Sequence, residues 1–230
     1  MNGSAYADAL RMHFEANANP LLADRMSRYM LGQFAFFGIQ SPQRKQLTAS
    51  FIAANGLPDP AEFATVVKLV WAMPERELQY TIMEMASRRA FLYAEHRIHL
   101  FEYIILQKSW WDTVDYIAAN LVGSWLRKNP EKTAEVTSAF MNSGNMWLMR
   151  TVLLFQLKYR KETDEGLLFE TIDALKTSPE FFIRKAIGWS LREYSKTNPE
   201  AVIRFVENNT LSGLSKREAL KIITKKKADE

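Results

Sequence analysis

Five prolines, each preceded by a residue that caps helices, constrain this chain more than any other feature: Ser41 before Pro42, Asp59 before Pro60, Asn129 before Pro130, Ser178 before Pro179 and Asn198 before Pro199. Such a pair marks a helix start, because the side-chain oxygen accepts from an otherwise orphaned N–H and proline lacks the N–H that the first turn cannot use. Gly56 closes the helix opened at Ser41, Pro74 separates two more, and Ser215 with Glu218 three residues on reads as a capping box opening the last. Tyr6–Ala16 and Leu21–Gln33 read as the first two helices. Roughly a dozen helices of 10 to 18 residues result. No segment alternates as a strand between hairpin turns, and no glycine-rich phosphate loop is present.

Trp71, Trp111, Trp147 and Trp189 recur at intervals of 40, 36 and 42 residues, close to one helix pair of a HEAT or armadillo array. The expected fold is therefore all-α, an α-α superhelix of HEAT-like repeats forming one domain over 1–230, with an irregular helical bundle as the alternative. In a solenoid the inner helices line a concave wall. Net charge is +4, and its excess is local: residues 1–147 carry 14 basic and 14 acidic side chains, residues 148–230 carry 16 and 12. A one-sided basic field suits a polyanion, although solvated helix faces produce the same count. Without cysteine there is no disulfide, thiolate nucleophile or cysteine zinc site. No apolar run has the roughly 18 residues of a membrane span, and no signal-peptide core is visible, so the expected address is the cytoplasm.

The density of costly side chains peaks at Ser109–Asp115, SWWDTVD. With Ser109 as N-cap, Asp112 falls at the third helical position and takes a capping role, while Trp111 and Asp115, four apart, share one side of the helix. Trp110 and Val114 form the parallel pair that packs toward a neighbour. Further on, Lys185, Arg192 and Lys196 flank Trp189 on one side of a helix, with Ile183, Ala186 and Leu191 elsewhere on its circumference. Cations beside an aromatic face suit a phosphate clamp next to a stacking surface, and core tryptophan with snorkelling lysines is the structural alternative. Trp147 with Arg150, and Arg25 with Tyr29, repeat the arrangement. His96 and His99 have no third ligand at a recognisable spacing, so no metal site is expected. Lys225, Lys226 and Lys227 add diffuse attraction to phosphate at the C-terminal end.

Long collinear motifs carry a resemblance. RYM at Arg28–Met30, GIQSP at Gly38–Pro42, PERE at Pro74–Glu77, KSWWDTVD at Lys108–Asp115, NMWLMR at Asn145–Arg150, FQLKY at Phe155–Tyr159, FFIRKAIGWSLREYSKTNP at Phe181–Pro199 and LSKREA at Leu214–Ala219 resemble the AlkD family of bacterial DNA alkylation-repair glycosylases. Only the extreme N-terminus and the lysine-rich tail are weakly anchored, and Lys45 stands where the pattern leads one to expect arginine. The resemblance implies hydrolysis of the N-glycosidic bond of cationic N3- and N7-alkylated purines, such as 3-methyladenine and 7-methylguanine, in duplex DNA, without flipping the base into a deep pocket. It also implies an active-site cluster of Trp111, Asp115 and Trp189 with Tyr29 and Arg150 beside them in the cleft; together with the clamp read at Lys185 and Arg192, the expected DNA contacts are Tyr29, Gln40, Ser41, Lys45, Arg150, Lys185 and Arg192. No cofactor and no metal are expected, and a monomer gripping one duplex is. The alternative is a non-catalytic HEAT-repeat protein that binds damaged or branched DNA; a protein-interaction solenoid is a third reading.

Overall fold

The computed structural model describes residues 1–93 and 96–229, without the side chains of Arg89 and of residues 225–229, so the run Lys225, Lys226 and Lys227 lies outside the described side chains. Its described residues are all-helical, with one isolated bridge between Ala35 and Glu75 in place of any strand. The helices are α1 (Gly3–Glu15), α2 (Pro20–Tyr29), α3 (Ser41–Asn55), α4 (Phe63–Ala72), α5 (Arg76–Ala86), the short α6 (Arg89–Leu92), α7 (Arg97–Leu106), α8 (Trp111–Tyr116), α9 (Gly123–Lys128), α10 (Thr133–Asn142), α11 (Met146–Leu154), α12 (Glu165–Leu175), α13 (Phe181–Tyr194), α14 (Pro199–Asn208) and α15 (Gly213–Asp229). None is long and apolar enough to cross a membrane among the described residues.

The helix starts explain how far the proline pairs could be read. Asn198 caps α14 as expected, its side chain accepting from Ala201 N–H at 3.1 Å. Ser41 is already inside α3, one residue after the Gln40 cap. Asp59 and Ser178 instead make local turns, accepting from the N–H groups of Ala61 and Glu180, and their helices begin at Phe63 and Phe181. Asn129 leads first into a 3₁₀ turn, Pro130–Lys132.

Two compact units divide within α7, Met1–Leu100 and Phe101–Glu230. In the first, Tyr6, Leu10 and Phe14 of α1 are buried with Phe51 of α3 and Phe63, Val66, Val70 and Trp71 of α4. Trp71 is thus a core residue here. A buried glutamate organises this unit: Glu77, at the start of α5, accepts from the backbone N–H groups of Phe37 at 3.2 Å, Gly38 at 2.9 Å and Ile39 at 3.0 Å. Burial pushes its carboxyl above the usual range, and these backbone donors oppose that. The PERE and GIQSP motifs are therefore two sides of one contact, which fixes the approach to α3.

In the second unit helices pack in a row, α8 on α11, α11 on α13 and α13 on α15, with α9 and α10, α12, and α14 intervening in sequence. That is the layering of an α-α repeat array. Ile172, Ile183, Ile187, Leu191, Val202 and Ala219 form its shared core. Between α8 and α9 the helix widens into a buried π-helical stretch, Ile117–Val122. The FQLKY motif braces it: Tyr159 Oη donates to Gly123 O at 2.7 Å and Lys158 Nζ to Asn120 Oδ1. Gly123 is required there, since a Cβ would lie 2.1 Å from Phe155 O.

Candidate active site

The row α8, α11, α13, α15 presents its site residues on one side. Trp111 and Asp115 come from successive turns of α8, and Val114 beside them is fully buried. This is the division of faces expected from their spacing, but the capping is different. Ser109 lies in the connector after α7, its Oγ donating back to Ile105 O, and Trp110 occupies the N-cap with extended backbone, φ −158° and ψ 158°. Asp112 therefore lies one position earlier than a capping box requires. It still places an acid in the first turn, where the helix dipole favours it. Trp110 packs edge-on to Phe182 at 5.4 Å between ring centroids, and Trp147 meets Phe182 at 5.0 Å, an aromatic corner that sets the start of α13 against α8 and α11.

Asp115 is not a free carboxylate. Arg150 of α11 grips it with both prongs, Nε to Oδ1 at 2.7 Å and Nη2 to Oδ2 at 2.9 Å, while Nη1 donates to the Phe182 carbonyl in the first turn of α13. Arg150 is 4% exposed and the Asp115 side chain 14%. The phosphate contact expected of Arg150 is not what its nitrogens make within the chain: all three are engaged inside the fold, two by Asp115 and one by the Phe182 carbonyl. Burial pushes Asp115 above the ordinary carboxylate range; Arg150, by hydrogen bond and charge, pulls it back, and Asp112 adds a small upward push.

These residues border an open cavity of about 390 Å³. Trp111 and Trp189 supply indole surface, Phe181 and Phe182 an aromatic wall, and Asp115 with Arg150 the charged element. Lys185 and Arg192 line it from α13, and Glu218 from α15. Both cations pair with Glu218, Lys185 Nζ to Oε1 at 2.8 Å and Arg192 Nη1 to Oε2. Lys196, expected beside them, is exposed and pairs with Glu193 instead, at 2.7 Å. Ile183, Ala186 and Leu191 are buried, as their place on the helix wheel demands.

Glu218 is the residue that sequence reasoning misassigned. Helix α15 begins at Gly213, so the cap is Ser212, whose Oγ accepts from Ser215 N–H at 3.1 Å, and Ser215 is buried with its hydroxyl on Arg184 O. The glutamate is thereby released from capping and meets the cations of α13. Phe181 and Phe182 lay in plain sight within a motif, and only tertiary packing reveals them as cavity walls.

The remaining expected contacts belong to the first unit. Tyr29 ends α2 and is 71% exposed. Gln40 caps α3, Ser41 opens it, and Lys45, exposed one turn on, borders a separate hollow of about 210 Å³ with Thr48, Glu84 and Arg88. His96 and His99 face each other at 6.3 Å between rings, and among the described residues no group of three or more potential metal ligands exists.

An all-helical repeat protein with an open aromatic cavity beside a restrained carboxylate is the class this geometry defines. The chain belongs to the DNA alkylation repair enzyme family, whose model matches residues 10–223. A solved structure described as a predicted DNA alkylation repair enzyme from Enterococcus faecalis is similar at 34% sequence identity and a TM-score of 0.83, covering 90% of this chain and 97% of that one. No curated protein matches the chain in sequence. Family membership supports a role as an enzyme in repair of alkylated DNA, with DNA as its substrate or partner.

Proposed function

We propose that the chain is a DNA glycosylase that releases cationic N3- and N7-alkylated purines, 3-methyladenine and 7-methylguanine among them, from duplex DNA. The observation that supports this most is the Asp115 carboxylate, held by Arg150 at the edge of a cavity that it shares with Trp111 and Trp189. A glycosidase ordinarily needs a second carboxyl to protonate its leaving group. An alkylated purine already carries positive charge and departs as a neutral base, so that acid is dispensable. The sugar then develops oxocarbenium character, which a nearby anion stabilises. Asp115 supplies it, and its oxygens retain lone pairs beyond those used by Arg150. A water held on the carboxylate adds to C1′, the bonding electrons leave with the purine, and the water's proton passes to Asp115. Trp111 and Trp189 attract the cationic nucleotide by about 0.5 to 2 kcal/mol each. Because the cavity is open to solvent, the base is held near the helix stack in this reading rather than sealed in an enclosed pocket.

The test is chromatography of bases freed from methylated duplex. Wild-type protein releases 7-methylguanine and Asp115→Asn does not, while Asp115→Asn keeps duplex affinity within a few-fold. Undiminished release by the variant removes Asp115 from the mechanism, and no release by wild type refutes the activity.

A further inference from the structure

Glu218 occupies an unusual place for an acidic residue in a site meant for a polyanion. Its two oxygens are taken by two different cations, Lys185 and Arg192, which stand seven residues apart on α13 and flank Trp189. The non-bridging oxygens of a phosphodiester are spaced much as those of a carboxylate, so cations set to take one oxygen each from Glu218 are set to take one each from a phosphate. The approach is built into the backbone. Gly188, next to Trp189, faces α15 so closely that a Cβ there would lie 2.5 Å from Glu218 Cβ and 2.8 Å from Ser215 O.

The bland explanation is a tie between two helices. It accounts for little: the side chains of Lys185, Arg192 and Glu218 are 42%, 23% and 18% exposed, and partly exposed pairs contribute about 0 to 1 kcal/mol. Ala219 and Ile223 already bury α15 against the core of α13.

We propose that Glu218 fills the seat of a DNA phosphate between Lys185 and Arg192, and that the duplex must displace it to engage the site, making Glu218 a brake on binding to undamaged DNA. This rests on the reading of the chain as a duplex-acting enzyme. With Glu218 in place the two cations enter binding half neutralised, carrying a net charge of one between them instead of two, so their contribution to the salt dependence is reduced. Freed, each adds close to one unit to the slope of log affinity against log salt.

The experiment is fluorescence anisotropy of undamaged duplex over a salt series, with melting by circular dichroism as the folding control. Glu218→Gln keeps the shape and loses the charge; Glu218→Ala removes the carboxamide as well and retains the Cβ packed on α13. Both are expected to bind several-fold more tightly at low salt, with a slope steeper by about one. Adding Lys185→Met to Glu218→Gln returns about that one unit. Wild type that binds with salt dependence while the folded Glu218 variants keep its slope and affinity, or bind more weakly, overturns this inference alone. Wild type with no salt-dependent duplex affinity overturns the DNA reading together with it.

Discussion

Replacing Gly188 by alanine sets two familiar effects against each other, and the structure decides between them. Alanine in a helix interior is favoured over glycine by about 1 kcal/mol. At Gly188 the added methyl would meet Glu218 Cβ at 2.5 Å, Ser215 O at 2.8 Å and Ser215 Cα at 3.2 Å. Two of these three atoms are backbone, and Ser215 is itself pinned by its hydroxyl to Arg184 O at 2.9 Å. No flexible side chain can give way, so α13 and α15 must separate. Overpacking of this kind costs about 1 to 3 kcal/mol, and loosening the Glu218 pairs adds up to about 1 more. The net expectation is a loss of up to about 3 kcal/mol, or up to about 12 °C in Tm at about 2 to 4 °C per kcal/mol, in place of the gain of about 1 kcal/mol that alanine gives in an open helix. Gly166, in the first turn of α12, is the control: a Cβ there touches only Asp164 Oδ1 at 3.4 Å, and its φ is not left-handed. Gly166→Ala should be neutral or stabilising. Thermal and urea melts of both variants by circular dichroism give the answer. A Gly188→Ala protein more stable than wild type by the full helix-propensity gain of about 1 kcal/mol would refute the claim that these helices touch through the glycine.

The acid limb of base release should follow Asp115, which acts only when ionised. Arg150→Met removes the group that opposes its upward shift, so activity above the spontaneous rate fails at higher pH than in wild type; Asp112→Asn removes an upward push, so activity persists to lower pH. Rates of 7-methylguanine release across pH read both shifts. Glu77→Ala strands three buried N–H groups at about 1 to 3 kcal/mol each, and is expected to cost at least about 3 kcal/mol in a urea melt. Glu77→Gln keeps the Oε1 partners Gly38 and Ile39 and should fall between. Trp189→Ala, from a half-buried position, should slow release about 2- to 30-fold, the rate equivalent of a cation–π loss of about 0.5 to 2 kcal/mol.

What could be read from the residues was whatever depends on local geometry. Helical character follows from capping and periodicity, and the four-residue spacing of Trp111 and Asp115 places both on the cavity side while Val114 goes to the core. Cap positions were less legible, because a serine or asparagine before proline can equally make a turn that precedes the helix, as at Ser178. The π-helical stretch was invisible, since a widened turn has no composition of its own. Ion-pair partners were the largest gap. Arg150 and Asp115 are 35 residues apart and Lys185 and Glu218 are 33 apart, so each charge could be assigned to solvent, to phosphate or to a partner with equal local consistency. The motif matches located these residues but could not say that two expected phosphate contacts, Lys185 and Arg192, face a glutamate.

Arg150 joins the chemistry to the wall around it. Its fork holds Asp115 on α8 while its remaining arm holds the Phe182 carbonyl on α13, and the Phe182 ring borders the cavity. Anything that leans on that aromatic corner therefore tugs on the guanidinium. Under the proposed mechanism, a guest that seats the corner firmly would keep the aspartate charged and one that levers it outward would slacken the grip and weaken the acid, joining occupancy to reactivity through a single side chain.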